Sequence, residues 1–384
     1  MRIGHHGHRA PQFRVWTENV AGNIGDPVRR LRFLRAVAAV PEGRRTRRRR
    51  LGSIAILLAV ALAAAFALKR ASARPPAPAA PSSSLHRTAP APSPPASEIW
   101  QVESRGDSEV YSNGLRIDNR YAVASHPRSY LAFPASGGGP PVRQTRLAGV
   151  VFHSTESRQL PFEAGHNEAL KRVGESLLDY LRRRRSYHFL IDRFGRVYRI
   201  VAETDAADHA GYSVWGDDRW IYVNLNQSFL GVAFESSSRL AADEPAITPA
   251  QTRSAVMLAE LLRARYAIPP SNWVTHAQVS VNPSNMRIGW HVDWATGFPF
   301  EQIGLPLNYA EPPPAIWAFG FAADPTYSAA AAPALRSAVE NADALLARRA
   351  AADSLRPAVY RKRLQEQYRR DLNAVRRFSS EPRD

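Results

Sequence analysis

An uncharged apolar run of eighteen residues, Leu51 to Leu68, constrains this chain more than any other feature. As an α-helix it is about 27 Å long, against a hydrocarbon core of ~30 Å in a typical bilayer. Six arginines lie just before it in residues 44–50, and only Lys69 and Arg70 follow it. Positive charge stays on the cytoplasmic side. We therefore predict a transmembrane helix at 51–68, with the N-terminus in the cytoplasm and the remainder outside.

The net charge of the chain depends on the same region. The 384 residues carry a formal charge of +17, which would suggest an anionic partner such as nucleic acid. Residues 1–50 alone carry thirteen Arg against three acidic residues, a net +10, whereas residues 51–305 carry only +4. The basic segment 1–50 is thus interpreted as a cytoplasmic orientation signal, and no nucleic-acid partner is expected. A cleaved signal peptide is the alternative, because Ala71-Ser72-Ala73 resembles a cleavage site.

Residues 69–98 are predicted to be a linker. The segment holds eight prolines among many Ala and Ser residues, a composition that cannot bury enough apolar surface to fold. Extended at ~3.1 Å per residue, such a tether reaches up to ~90 Å. The sequence therefore predicts that the following domain lies in the periplasm or cell envelope while the chain stays attached to the cytoplasmic membrane.

Residues 99–305 have the composition of one α/β domain. An Asn113-Gly114 turn predicts an opening hairpin, and three apolar runs predict buried strands at 147–152, 189–201 and 229–234. Amphipathic periodicity predicts a helix at 168–184, and a capping box predicts a second one from Thr248. Residues 306–384 are predicted to be a C-terminal extension with two solvated Ala- and Arg-rich helices, broken at Pro357 and docked on the domain.

The chain has no cysteine, which excludes disulfides, thiolate zinc ligands and a Cys nucleophile. His153 ends an apolar run, His276 follows the short run Trp273-Val274, and Asp293 lies seventeen residues further on. A lone His at such a place is more often structural. Two His and one carboxylate together, however, leave a fourth position for water, which is the arrangement of a catalytic zinc site.

Five short motifs in a fixed order give a family resemblance. They are Val150-Val151-Phe152-His153-Ser154-Thr155, Tyr187-His188-Phe189-Leu190-Ile191-Asp192 with Gly195, His209-Ala210-Gly211, Asn226 with Gly231-Val232, and Thr275-His276. The chain in this respect resembles the zinc-dependent N-acetylmuramoyl-L-alanine amidases, which share a fold with peptidoglycan-recognition proteins. The resemblance covers about residues 147–300 and leaves both ends unexplained.

The resemblance implies a mixed central β-sheet flanked by α-helices, with Zn²⁺ in a cleft that binds peptidoglycan. The implied reaction is hydrolysis of the amide between N-acetylmuramic acid and the L-alanine of the stem peptide. By position, His153 and His276 match two metal ligands of the family. Asp293 matches the third ligand, which is Cys or Asp in relatives, and the lack of cysteine favours the Asp form.

For catalysis, the resemblance implies Tyr187, which matches a tyrosine that hydrogen-bonds the water or the developing oxyanion. The same residue could equally be a core aromatic at the start of a strand. Some relatives use a Glu after the Gly-Val pair, a place held here by Ala233. Glu235 lies two residues further on, on the same side of an extended strand, and is the second choice.

The interval between His276 and Asp293 is longer than usual in the family, so residues 279–290 are predicted to form an extra loop at the cleft. His291 stands where many active relatives have a Lys or a hydroxyl residue that stabilises the oxyanion. A histidinium could do the same, although it titrates near ~6.5 rather than ~10.4. In the alternative assignment His291 is the ligand and Asp293 its outer partner.

Two further residues match family positions near the substrate, His209 beside the groove and Asn226 at a loop that shapes it. Both could equally be structural hydrogen-bonding residues. The main competing function is a non-catalytic peptidoglycan-binding module on the same fold. Such modules typically replace a metal ligand with a residue that cannot coordinate, and here all three positions hold competent residues, which favours the enzyme.

Overall fold

The computed structural model describes residues 98–157, 159–237 and 247–380, which belong to one compact unit. The predicted cytoplasmic segment 1–50, the predicted span 51–68 and nearly all of the linker 69–98 lie outside these ranges. Within the described ranges, no helix is long and apolar enough to cross a membrane.

The described residues form strands and helices that we number in chain order. The strands β1 to β15 are Gln101–Arg105, Ser108–Tyr111, Arg116–Asp118, Tyr130–Pro134, Val142–Gln144, Gly149–Ser154, Phe189–Ile191, Val197–Arg199, Trp215–Gly216, Trp220–Tyr222, Phe229–Phe234, Trp273–Thr275, Val281–Asn282, Arg287–Ile288 and Ala322–Ala323. The helices α1 to α8 are Asn167–Arg184, Leu225–Ser228, Pro249–Tyr266, His276–Val279, Pro314–Trp317, Pro325–Ala330, Pro333–Ala352 and Pro357–Ser380.

The main sheet has eight strands in the order β1-β2-β3-β8-β7-β11-β6-β12. Its centre is parallel, since β11 runs parallel to β7 and β6, and β6 parallel to β12, while β7 and β8 are antiparallel. The fold is therefore α/β with a mixed central sheet, as predicted. The central strands β6 and β11 are buried on both faces, in keeping with their continuous apolar sequences. An antiparallel sheet β5-β4-β10-β9 and a small sheet β13-β14-β15 complete the described strands.

Local sequence explains the elements that hold the centre of the sheet. The Asn113-Gly114 turn joins antiparallel strands β2 and β3, with Gly114 at a φ of +88° that favours glycine. Helix α3 begins with the predicted capping box: the Gln251 N–H donates to Thr248 Oγ1, and the Thr248 N–H donates to Gln251 Oε1. Helix α1, predicted at 168–184, buries Leu170, Gly174, Leu178 and Leu181 along one face.

The C-terminal region is more deeply integrated than two solvated helices would be. Helices α7 and α8 each bury one face in the main hydrophobic core. The two helices are separated just before Pro357, which begins α8. The large buried side chains include Leu335, Val339, Leu346, Leu364, Tyr368 and Leu372. Strand β15 also pairs with β14. The predicted extra loop at 279–290 is consequently a short hairpin, β13-β14, that extends a sheet with the C-terminal region.

Candidate active site

The sheet itself brings the two candidate histidine ligands together. His153 is the fifth residue of β6, and His276 directly follows the parallel neighbour β12, in which Thr275 pairs with Phe152. Because parallel strands end at the same edge of a sheet, both imidazoles emerge there. Asp293 returns to this edge after the β13-β14 hairpin. All three side chains are buried, with relative exposures of 1%, 5% and 7%.

Among the described residues, His153, His276 and Asp293 form a cluster whose candidate ligand atoms lie within 4.8 Å of one another. The Nδ1 atom of His153 is 3.3 Å from one carboxylate oxygen of Asp293, and Nδ1 of His276 is 3.0 Å from the other. The structure thus assembles the three side chains that the sequence analysis selected. We call this cluster the triad.

A third histidine, His209, determines which nitrogen of His153 carries the proton. Nε2 of His209 lies 3.2 Å from the carbonyl oxygen of Phe229, which can only accept, so that nitrogen is the donor. Burial is the main cause that lowers the pKa of His209 well below its usual value, so the ring is neutral and its Nδ1 accepts. The Nε2–H of His153, 3.1 Å away, therefore donates to His209. This leaves a lone pair on Nδ1 of His153.

The donor set fits a metal cation. Burial, followed by the neighbouring His276, lowers the pKa of His153 to about 4, so its ring is neutral at pH 7. Its Nδ1 lone pair then faces a carboxylate oxygen of Asp293, whose pKa its histidine neighbours lower although burial opposes them. Two acceptors facing each other at 3.3 Å repel unless a cation lies beside them. Two imidazoles and a carboxylate are ligands that suit Zn²⁺.

The loop that carries His209 is held by the predicted residue Asn226. The side-chain oxygen of Asn226 accepts the backbone N–H groups of His209, Ala210 and Gly211 at 2.7–2.9 Å. Its amide group donates to Asp208 at 3.1 Å. Asn226 therefore fixes the backbone of this loop through three hydrogen bonds. The loop in turn holds His209 against His153, on the side away from Asp293.

Gly231 of the Gly-Val motif makes room for the His209 ring. A Cβ atom at this position would lie 2.6 Å from Cγ of His209, closer than side chains tolerate. The N–H of Gly231 also donates to Nδ1 of His188 at 2.9 Å. The glycine is thus required by a close approach of ring to backbone, which the sequence motif alone did not reveal.

Sequence analysis missed Arg128, which is buried behind these histidines. Its guanidinium group donates to the carbonyl oxygens of Gln227, Phe229, Glu203 and Asp205 at 2.7–3.3 Å. Arg128 thus shares the Phe229 carbonyl with His209 and fixes the backbone that orients it. No sequence signal identified this residue, because its carbonyl partners come from segments up to 101 positions away.

The ring of Tyr187 packs against that of His153, with a centroid distance of 5.0 Å. Burial is the main cause that raises its pKa far above the usual value, and Asp293 adds to it. The hydroxyl therefore stays protonated and can serve as a hydrogen-bond donor. Its backbone has a φ of +63°, which is uncommon for a bulky residue.

Glu235, the second choice, is buried at the end of β11, and its carboxylate accepts the N–H of Arg193 at 3.2 Å. Burial raises its pKa. The structure therefore turns this carboxylate towards the turn after β7, whereas Tyr187 contacts the triad directly.

His291 lies at the solvent-exposed side of the triad. Its ring stacks on His276, with centroids 4.6 Å apart and an angle of 19° between the planes. The neighbouring Trp290 is 62% exposed. His291 is exposed, whereas Asp293 contacts both other members of the triad, so the geometry favours Asp293 over His291 as the third ligand.

Comparison with known proteins agrees with this site. Residues 143–291 match the family model Amidase_2, described as N-acetylmuramoyl-L-alanine amidase. No curated protein matches the chain. Among solved structures, the N-acetylmuramoyl-L-alanine amidase LysC from Clostridium intestinale is 24% identical over 41% of this chain and 83% of its own, with a TM-score of 0.26.

The N-acetylmuramyl-L-alanine amidase AmiD from E. coli, solved with the substrate anhydro-N-acetylmuramic acid-L-Ala-D-γ-Glu-L-Lys, is also similar. It is 23% identical over 52% of this chain and 65% of its own, with a TM-score of 0.31. The family match covers most of the segment on which the resemblance was seen and ends two residues before Asp293; residues 143–291 are a domain of the N-acetylmuramoyl-L-alanine amidase family of enzymes.

Proposed function

We propose that this chain is a zinc-dependent peptidoglycan amidase that hydrolyses the amide between N-acetylmuramic acid and the L-alanine of the stem peptide. The observation that carries the proposal is the triad, in which two imidazole rings and a carboxylate converge at the end of parallel strands. His153, His276 and Asp293 would hold the metal. When bound, zinc supplies Lewis-acid activation of a water molecule and of the scissile carbonyl.

The protein residues around the triad have distinct tasks in this proposal. The Phe229 carbonyl and His209 hold His153 in the tautomer that presents Nδ1. Tyr187 keeps its proton at neutral pH and donates a hydrogen bond to the negative charge that develops on the scissile carbonyl oxygen. His291, on the open side, is placed to add positive charge or a second donor there when protonated.

Asp293 remains ionised throughout the working pH range, because its pKa is lowered by the two histidines. It contributes the negative charge that favours a divalent cation over a neutral molecule between the rings. Glu235 is proposed as the second candidate for proton transfer, and His209 and Asn226 as residues that shape the substrate groove from behind rather than by direct contact.

The location of the enzyme is a separate proposal that rests on sequence. The Arg-rich segment, the apolar run 51–68 and the Pro-rich linker support a single-pass anchor in the cytoplasmic membrane, with the catalytic domain in the periplasm or cell envelope. Membrane fractionation with protease protection of the intact chain tests this. In inside-out vesicles of the cytoplasmic membrane, protection of the catalytic domain from added protease supports the proposal, and its digestion there or a fully soluble protein contradicts it.

The enzymatic proposal is tested with purified peptidoglycan. The chain loaded with zinc is expected to release stem peptides with a free L-alanine amino group, leaving uncleaved glycan strands with free lactyl carboxylates. Mass spectrometry of both product fractions identifies the bond cut. Removal of zinc with a chelator should abolish release, and re-addition should restore it. Binding of zinc and peptidoglycan without any product would instead support a non-catalytic binding module.

A further inference from the structure

The segment that carries Asp293 is held by three consecutive backbone carbonyls. The Asp293 carbonyl accepts the N–H of Ala277, next to His276, at 3.2 Å. The Trp294 carbonyl accepts the hydroxyl of Tyr309. The Ala295 carbonyl accepts the N–H of Ala332 at 2.8 Å. Each carbonyl of residues 293–295 is thus bound by a different part of the chain.

Two of these three donors lie outside the segment that matches the amidase family, which ends at residue 291. Tyr309 and Ala332 also lie beyond residue 305, in the part predicted from sequence to be an accessory extension. Asn308, beside Tyr309, donates to the carbonyl of Trp273 at 2.8 Å and accepts from the side chain of Gln278 at 2.8 Å. These contacts connect residues 308–309 to strand β12, which precedes His276, and to helix α4, which begins with it.

The ligand loop needs such support because its backbone is strained. Trp294, directly after Asp293, has a φ of +68°, and a bulky residue in this left-handed region costs on the order of 1–3 kcal/mol. A conformation of this kind persists only where surrounding contacts determine it. The Tyr309 hydroxyl binds the carbonyl of this very residue, and the buried Tyr309 ring packs edge-on against Phe300 at 5.3 Å.

We infer that residues 306–332 position the third metal ligand, and that Tyr309 is a positioning residue that fixes Asp293 through the Trp294 carbonyl. This inference rests on the proposed zinc site. The C-terminal region is then part of the catalytic unit, because Asp293, which follows the end of the family match, is held in place by residues of that region. Tyr309 acts through backbone and touches neither substrate nor metal.

The test compares two Tyr→Phe variants of the full chain. Tyr309→Phe removes the hydroxyl that binds Trp294. Tyr368→Phe is the matched control, because Tyr368 is equally buried in the C-terminal region and its hydroxyl has no hydrogen-bond partner within the described residues. Zinc affinity is measured by competition with a chromophoric chelator. We expect affinity to fall by about 10–100-fold in Tyr309→Phe and to stay unchanged in Tyr368→Phe.

Equal zinc affinity of Tyr309→Phe and the unmutated chain would overturn the inference, and so would equal losses in both variants. To separate positioning from general destabilisation, denaturant unfolding of each variant is measured with and without zinc. The zinc-induced gain in stability should shrink only in Tyr309→Phe. If the unmutated chain binds no zinc, the proposed function itself fails, which is a different outcome from unaltered binding in the variant.

Discussion

Nε2 of His153 lies 3.1 Å from Nδ1 of His209, and the second nitrogen of His209 lies 3.2 Å from the Phe229 carbonyl. Through this pair of contacts, the Phe229 carbonyl determines that His153 carries its ring proton on Nε2. A peptide oxygen cannot donate, so it fixes the tautomer of His209 and, through it, that of His153. The same carbonyl accepts from the buried Arg128, which ties the site to the interior.

Replacing His209 should weaken metal binding although His209 belongs to no ligand set. In His209→Ala, His153 loses the acceptor that fixes its tautomer, and we expect zinc affinity to fall by about 10–100-fold. Chelator competition measures the affinity, and ¹⁵N NMR reports whether His153 carries its proton on Nε2. His166→Ala, at a half-buried position in the short helical turn before α1, is the control with unchanged affinity. An unchanged zinc affinity in His209→Ala would contradict the proposed role of His209 in fixing the tautomer of His153.

Substitution of Gly231 should displace the His209 ring by a steric clash and so disturb its hydrogen bond to His153. A Cβ atom in Gly231→Ala would meet the His209 ring at 2.6 Å, so we expect a loss of about 1–3 kcal/mol in the free energy of unfolding, together with weaker zinc binding. Gly174→Ala is the control, since a Cβ there meets nothing within 4 Å and alanine favours the helix by roughly 0.5–1 kcal/mol. Urea unfolding measures both changes: the free energy of unfolding should fall in Gly231→Ala and stay equal or rise in Gly174→Ala.

Replacement of Tyr187 is predicted to lower turnover strongly, whereas replacement of Glu235 is predicted to lower it little. Tyr187→Phe should retain zinc but lose about 10²–10³-fold in turnover, because an oxyanion donor is removed. Glu235→Gln should keep most activity, because its carboxylate binds the Arg193 amide. Turnover on a soluble muropeptide, with zinc content checked for each variant, decides between them. The reverse ranking would make Glu235 the catalytic residue.

The role of His291 is expected to appear in the pH profile. If the imidazolium stabilises the oxyanion, activity falls as pH rises through neutrality. In His291→Lys, whose ammonium titrates near ~10.4, the decline should move to higher pH with zinc binding intact. An unchanged profile would remove His291 from the mechanism. A loss of zinc in His291→Ala, but not in Asp293→Asn, would make His291 the third ligand.

The buried histidines predict that the fold weakens in mild acid. Burial first, and then Arg128, lowers the pKa of His188 well below its usual value. A proton added to Nδ1 of this ring would oppose the N–H of Gly231. A histidine with a lowered folded pKa stabilises the protein above the unfolded value near 6.5 and loses that contribution as pH falls below it.

For one such histidine, the free energy of unfolding should drop by about 2 kcal/mol between pH 7 and pH 5. Urea unfolding of the metal-free chain at both values measures this. In His188→Gln the drop should be smaller by that amount, and an identical drop would contradict the interpretation.

Sequence was sufficient for the parts of this molecule that depend on local pattern. The buried strands around Phe152 and Phe234, the capped helix at Thr248 and the Asn113-Gly114 hairpin were all predicted and are present. The three triad residues were selected from residue type and from the family resemblance. The parallel pairing of β6 with β12, which brings the two histidines to one edge, is a finding of the structure.

What sequence did not provide depends on contacts between distant segments. Arg128 reaches four carbonyls in two distant segments, 203–205 and 227–229, and Tyr309 binds a residue fifteen positions away. Neither contact has a periodic or motif signature. The integration of helices α7 and α8 into the core was also missed, because their Ala- and Arg-rich composition is typical of solvated helices.

One measurement tests the central claim most directly: zinc content and release of stem peptides from purified peptidoglycan, determined on the same preparations of the unmutated chain and of Asp293→Asn. We predict about one zinc per unmutated chain, with products cut between N-acetylmuramic acid and L-alanine, and loss of both zinc and product in Asp293→Asn. Zinc-free chain that still cleaves this bond, or full zinc content and activity in Asp293→Asn, would contradict the account.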